Sequence, residues 1–147
     1  MIDSENEISD CPVKWVADHV RRYVESGGEK GHRWSGMNTL LITTQGRKTG
    51  LMRRTALIYG RDGDNYLVVG SNGGKKNHPS WYLNLLDNPA VQVQVGTEQF
   101  EARARPATAE ERPRLWQLMA GIFPTYNSFK KKTSREIPVV VIESVSS

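Results

Sequence analysis

Two short basic loops, each punctuated by glycine, are the residues of this chain best equipped for chemistry. Gly46-Arg47-Lys48-Thr49-Gly50 combines backbone amides, a hydroxyl and two long cations, the equipment with which a protein holds a phosphate. Its glycine spacing is not that of a Walker A loop, and the pattern after it is a hairpin rather than a helix. Taken alone, the segment is equally a basic β-turn kept soluble by its charges. The second loop runs from Gly70 to Asn77, where small residues let a ligand approach the backbone, Ser71 can donate a hydrogen bond, and Lys75 and Lys76 add charge. Each loop follows a strand of one meander, so the two can lie at one rim and share an anionic ligand. Trp81 and Tyr82 open a helix beside that rim, where either a flat ligand or the core would take their rings.

Side-chain catalysis has no support. His19, His32 and His78 fall at no metal-ligand spacing, and there is no GxSxG, HExxH or paired-carboxylate pattern. The single cysteine, Cys11, excludes an internal disulfide and a thiolate metal site, and it suits a reducing cytoplasm. A bound cofactor must therefore carry any reaction, with the protein positioning it. Twenty Lys and Arg against 16 Asp and Glu give a net charge of +4, with cations gathered at Arg47, Lys48, Arg53 and Arg54, at Lys75 and Lys76, and at Lys130, Lys131, Lys132 and Arg135. That placement calls for an anionic small molecule. Nucleic acid is not expected, because the cations sit in short turns without interleaved aromatic residues. The longest apolar runs, Leu40-Leu41-Ile42 and Pro138 to Ile142, fall far short of the roughly 20 residues of a membrane helix.

The elements that must position these loops follow from periodicity. At 147 residues the chain is one domain, read here as a flexible leader over residues 1–12 followed by a single domain over 13–147. Val16, Val20, Tyr23 and Val24 recur at helical spacing before Gly27-Gly28, an amphipathic helix whose mixed polar face points to docking on the domain rather than on a membrane. Strands are expected over Asn38–Thr44, 51–60, Tyr66–Gly70, Val91–Val95, Phe100–Arg105 and Ile137–Ile142, with Asp62-Gly63 and Gly96-Thr97 as hairpin turns. Asn77 or His78 can cap a helix that begins at Pro79 and carries Trp81, Tyr82, Leu85 and Leu86. Thr108 to Glu111 is a capping box for a helix bearing Leu115, Trp116, Leu118, Met119 and Ile122, and Phe123 to Phe129 is an aromatic link. About six mostly antiparallel strands with three to four helices make an α+β, mainly β domain, closed into a barrel.

These residues resemble the deazaflavin-dependent nitroreductases, the A group of the deazaflavin-dependent oxidoreductases typical of actinobacteria. The likeness rests on Leu41 to Gly50, Asp62-Gly63, Ser71 with Gly73-Gly74, Pro79 to Leu85, Asn88-Pro89, Val91 to Gln94, Ala107 to Arg112 and Ile137 to Val141, in the family's order. It implies a split β-barrel like that of flavin mononucleotide-binding oxidases, holding coenzyme F420, whose tail carries a phosphate and a polyglutamate chain. Flavin mononucleotide is the lesser alternative. Carried over by position, Arg47, Lys48 and Thr49 would hold the tail, while Arg53, Arg54, Thr55, Ala56, Leu57 and Ile58 would run along the coenzyme. Val69, Gly70, Ser71 and Asn72 would approach the ring, Lys75 or Lys76 would replace a lysine that relatives carry after the Ser71 position, and Ser80, Trp81, Tyr82, Leu83 and Asn84 would close the pocket. Tyr126 would cover the reacting face. On the acceptor side, Phe123, Phe129 and Ile58 stand where the nitroimidazole-reducing relative places other aromatic residues, beside Ser71 and Tyr126. The implied activity is hydride transfer from reduced deazaflavin to an enone, quinone or nitroaromatic; a carrier that binds coenzyme without turnover is the alternative.

Overall fold

The structure, a computed structural model, describes residues 8–10, 33–34, 37–71 and 76–145. The helix expected over 13–24 lies outside the described residues, as does most of the leader. The strands are β1 (Ile8–Asp10), β2 (Arg33–Trp34), β3 (Met37–Gln45), β4 (Met52–Ile58), β5 (Gly60–Asp62), β6 (Asn65–Val69), β7 (Ala90–Val95), β8 (Glu98–Pro106) and β9 (Val139–Ser144). Three helices accompany them among the described residues: α1 (Ser80–Asp87), α2 (Arg112–Ile122) and α3 (Thr125–Lys132).

The sheet path runs β1-β4-β3-β7-β8-β9-β6-β5, with β2 paired to β3. Because β4 and β5 are two halves of one chain segment, the path returns to where it began and the sheet closes on itself. The expected single strand over 51–60 is bent instead at Tyr59, whose N–H donates to the Asn38 carbonyl (3.1 Å). Before the bend the segment pairs with β3; after it, Gly60 to Asp62 pair with Leu67 to Asn65. No ladder joins β4 to the upper half of β6, and the barrel wall is split there.

Alternation sets the two cores. Leu40, Ile42, Val91, Val93, Ala102, Ala104, Val140 and Ile142 point into the barrel, where Tyr82 and Leu85 of α1 plug one end. Leu67, Val69, Val139 and Val141 point outward beneath Leu115, Trp116 and Met119 of α2 and Tyr126 of α3. β6 and β9 are thus buried on both faces, which is why they read as unbroken apolar runs.

Turn chemistry follows expectation at Gly63 (φ 62°) and Gly96 (φ 60°), each in the left-handed region that glycine tolerates. The capping box forms: Glu111 N–H donates to Thr108 Oγ1 (3.2 Å) and Thr108 N–H to Glu111 Oε1 (2.9 Å). Arg105 holds the same carboxylate through both oxygens and keeps its pKa far below the usual range, near 2. Pro113 sits in the first turn of α2, where its missing N–H removes no helical bond.

Three expectations are corrected. Ile8–Asp10, placed in the flexible leader, pairs in parallel with Met52–Arg54, because the outer edge of β4 otherwise presents unpaired backbone groups. The N-cap position of α1 is held by Pro79 rather than Asn77 or His78, with extended backbone, and its carbonyl accepts from the Tyr82 and Leu83 N–H groups. The aromatic link after Phe123 is mostly helix, with Lys130, Lys131 and Lys132 in the last turn of α3, where cations complement the helix dipole.

At Gly60 a side chain has no room, since a Cβ there would lie 2.7 Å from Met119 Sδ and 2.9 Å from Ile122 Cδ1. Gly60→Ala should therefore force α2 away from the sheet and cost roughly 1–3 kcal/mol in urea unfolding, with unchanged secondary structure by circular dichroism.

Candidate active site

Strand direction places both basic loops at one end of the barrel. β3 and β6 run toward that end while β4 and β9 leave it, so the Gly46–Leu51 turn, Gly70-Ser71, α1 and the α3–β9 connection all gather there. The split between β4 and β6 opens at the same end.

The first loop is more occupied than its sequence suggests. Gly46 N–H donates to the Leu51 carbonyl (2.7 Å), Gly50 N–H to the Gly46 carbonyl (2.8 Å), and Leu51 N–H to Thr49 Oγ1 (3.2 Å), with Gly50 at φ 75°. Arg47 donates to Asn84 Oδ1 from its backbone N–H (3.1 Å) and its Nη1 (2.9 Å), and Asn84 Nδ2 donates to Thr44 Oγ1 (3.2 Å). Asn84, 4% exposed, is the peg on which the loop hangs. Arg47 is thereby spent on architecture, whereas exposed Lys48 makes no side-chain bond among the described residues.

Along β4 the expected contiguous run Arg53 to Ile58 divides by face. Arg53, Thr55 and Leu57 pair with Thr44, Ile42 and Leu40 on the barrel side; Arg54, Ala56 and Ile58 pair with Thr43, Leu41 and Thr39 on the outer side. An extended strand cannot turn consecutive residues to one ligand. In α1, Tyr82 and Asn84 are buried, Trp81 and Leu83 pack against the barrel core, and Ser80 is exposed, so the helix supports the rim more than it lines a pocket.

Gly70 is buried and Ser71 is 9% exposed. Asn72 and Lys75 lie outside the described residues, and Lys76 is exposed. Val69 shares the outer core with Tyr126, which is 4% exposed and packed edge-to-face against Phe123 at 5.0 Å, with Trp116 at 6.3 Å and Phe129 at 6.5 Å. Burial pushes the Tyr126 hydroxyl well above the usual phenol range, and it has no hydrogen-bond partner among the described residues. The structure therefore unites Val69, Phe123, Tyr126 and Phe129, and separates the Arg47 peg from the Lys48 cation. Sequence reasoning counted Arg135 only among the cations after Phe129 and missed its place at the rim, where it bonds the Gly70 and Ser71 carbonyls (3.2 and 2.7 Å) and His78 Nδ1 (3.0 Å).

Residues 15–144 match the model of the F420H(2)-dependent quinone reductase family. The chain belongs to this family. Within the quinone reductase family, a Mycobacterium tuberculosis protein named F420H(2)-dependent quinone reductase is 41% identical over 134 residues, covering 88% of this chain and 90% of that protein. A solved structure titled F420-H2 dependent reductase (FDR-A) is 39% identical, with a TM-score of 0.66 over 71% of this chain and 93% of its own. Another, described as a domain-swapped dimer, is 36% identical, with a TM-score of 0.70 over 90% of this chain and 100% of its own. The split-barrel fold of these reductases is the fold seen here. No helix among the described residues is long and apolar enough to cross a membrane.

Asn84→Leu should leave the Arg47 N–H and the Thr44 hydroxyl without their partner, costing roughly 1–3 kcal/mol in chemical denaturation. Hydrogen exchange of the Arg47 amide should rise with it; protection equal to wild type would remove Asn84 as the peg.

Proposed function

We propose that the protein takes hydride from reduced coenzyme F420 and delivers it to an electrophilic acceptor, with a quinone as the leading acceptor class. The family match over residues 15–144 carries this reading, supported by relatives whose names specify F420H(2) and quinone. The donor set at the split end fits a long polyanionic tail: Lys48 and Lys76 are exposed on the two loops, and half-buried Arg54 lies on the outer side of β4 with Ala56 and Ile58. A flavin mononucleotide would offer these cations only one phosphate.

When bound, the reduced deazaflavin supplies the hydride. Lys48, Arg54 and Lys76 hold the tail, Arg54 from the same outer side of β4 as Ala56 and Ile58, with Arg47 fixing the loop through Asn84. Ala56 and Ile58 on the outer side of β4 and Val69 on the outer side of β6 flank the split and exclude water from the ring. Tyr126, whose burial keeps its proton in place, donates a hydrogen bond to the acceptor oxygen and orients it rather than giving up that proton, which comes from solvent. Ser71 is the second hydroxyl in reach of the ring segment. Phe123 and Phe129 give the acceptor side apolar faces suited to flat rings.

The deciding assay mixes purified protein, reduced F420 and menadione and follows reoxidation of the coenzyme by its visible absorbance. Turnover with F420H2, and none with reduced flavin mononucleotide or NADPH, is expected. Tight coenzyme binding without menadione reduction would make the protein a carrier instead. Lys48→Ala should weaken coenzyme binding about tenfold or more, with a shallower salt dependence, because one charge-assisted bond to an anion is lost.

A second expectation concerns the acceptor. With few donors beside the aromatic cluster, a bicyclic nitroimidazole should have a kcat/KM one to two orders of magnitude below that of a quinone or a coumarin-type lactone, roughly what an unsatisfied buried polar group costs. Equal values would refute the role given to Phe123 and Phe129.

A further inference from the structure

Arg135 lies in the connection between α3 and β9, where its N–H donates to Thr133 Oγ1 (3.3 Å). Its guanidinium crosses to the other side of the rim. Nη1 donates to the Gly70 carbonyl (3.2 Å) and meets His78 Nδ1 (3.0 Å), and Nη2 donates to the Ser71 carbonyl (2.7 Å). One planar fork therefore grips both the start of the segment that leaves β6 and His78, two residues before α1, and only the rigid geometry of arginine reaches three acceptors at once. Backbone contacts tighten the same place: Gly70 N–H donates to the Pro138 carbonyl (2.9 Å), and a Cβ at Gly70 would lie 2.9 Å from Pro138 Cγ. Since the peptide is planar, fixing the Gly70 carbonyl also fixes the direction of the Ser71 N–H.

We propose that Arg135 is a positioning residue for the reductase reaction, acting with His78 as an acceptor to clamp the Gly70-Ser71 segment and the start of α1 in working register. The inference rests on the function proposed above, with Ser71 at the ring. It carries a second consequence through the imidazole. Arginine offers only donors, so His78 Nδ1 must be the acceptor, and the ring is neutral with its hydrogen on Nε2. Protonation would remove that acceptor and set a second positive charge 3.0 Å from the guanidinium. Among the described residues, the groups that face His78 are Arg135, from the α3–β9 connection, and Tyr82, stacked at 4.9 Å on α1, with Glu136 acting on Tyr82. Burial first, and then the Arg135 charge, lower the His78 pKa below its ordinary value. A folded-state pKa below the unfolded one means that the clamp is stable at neutral pH and weakens as pH falls through the imidazole range.

The test uses the full chain with reduced F420 and menadione across the pH range from neutral to mildly acid. Arg135→Lys keeps the charge but loses the fork, and kcat should fall about 10- to 100-fold, the effect of misplacing a reacting partner by about an ångström, while coenzyme Kd moves by less than about threefold. His78→Asn supplies an oxygen acceptor near the Nδ1 position and does not titrate, so the acid limb of the wild-type kcat profile should disappear. A structural role alone would lower the melting temperature without reshaping that profile. Wild-type kcat in Arg135→Lys, or an acid limb that persists in His78→Asn, overturns the inference. If Arg135→Lys does not fold, the pH profiles of wild type and His78→Asn decide it. Wild type that fails to oxidise the coenzyme defeats the functional reading itself, a different result from an active wild type with an indifferent Arg135→Lys.

Discussion

The β6–β9 pair is buried on both faces, and most of the molecule is arranged by that fact. Tyr66 and Val68 with Val140 and Ile142 must be covered from inside the barrel, and Leu67 and Val69 with Val139 and Val141 must be covered from outside. The inner demand closes the sheet and draws α1 into its end. The outer demand holds α2 and α3 on the wall, bringing Trp116, Phe123, Tyr126 and Phe129 beside Val69. Each fully buried side chain of this size contributes about 1.5–3 kcal/mol, so a two-faced strand pair is the strongest organising element available to a domain of this length.

The site is made at the end where that closure is incomplete. β4 turns away at Tyr59 and pairs with β3 above the bend, so the upper part of β6 has β9 as its sheet neighbour and the wall stays split. Two polar pegs then fix the loops on either side: Asn84, buried and held by Thr44, carries Arg47, and Arg135 carries Gly70, Ser71 and His78. In both cases a side chain from a distant part of the chain satisfies loop backbone that would otherwise face water, which keeps a loop in one shape without an extended ladder. Arginine serves structure at both pegs, while Lys48 and Lys76 stay exposed on the loops.

Much of this was legible in the residues. The alternation of Val91 and Val93 with Gln92 and Gln94, the glycine turns at Gly63 and Gly96, and the reciprocal bonds of Thr108 and Glu111 follow from interactions between near neighbours, which periodicity and spacing report faithfully. The bend at Tyr59, the parallel pairing of Ile8–Asp10 with Met52–Arg54, and the absence of a side-chain cap on α1 were not legible, because each depends on a partner tens of residues away or on an edge that must be covered.

By itself the sequence determined the order of the six expected strands and their glycine turns, the mainly β fold class, the two basic loops and, through its family motifs, the deazaflavin reductase class. Local propensity and short-range bonding are written residue by residue, and family motifs are short strings. The tertiary structure alone decided which cations the fold itself holds. It spent Arg47 on Asn84 and Arg135 on two carbonyls and an imidazole, turned Arg53 and Arg54 to opposite faces of one strand, and buried Tyr126 until its hydroxyl holds its proton. The physical reason is common to all four: a charge or hydroxyl acquires its role from the groups within a few ångströms of it, and in a closed sheet those groups come from anywhere along the chain.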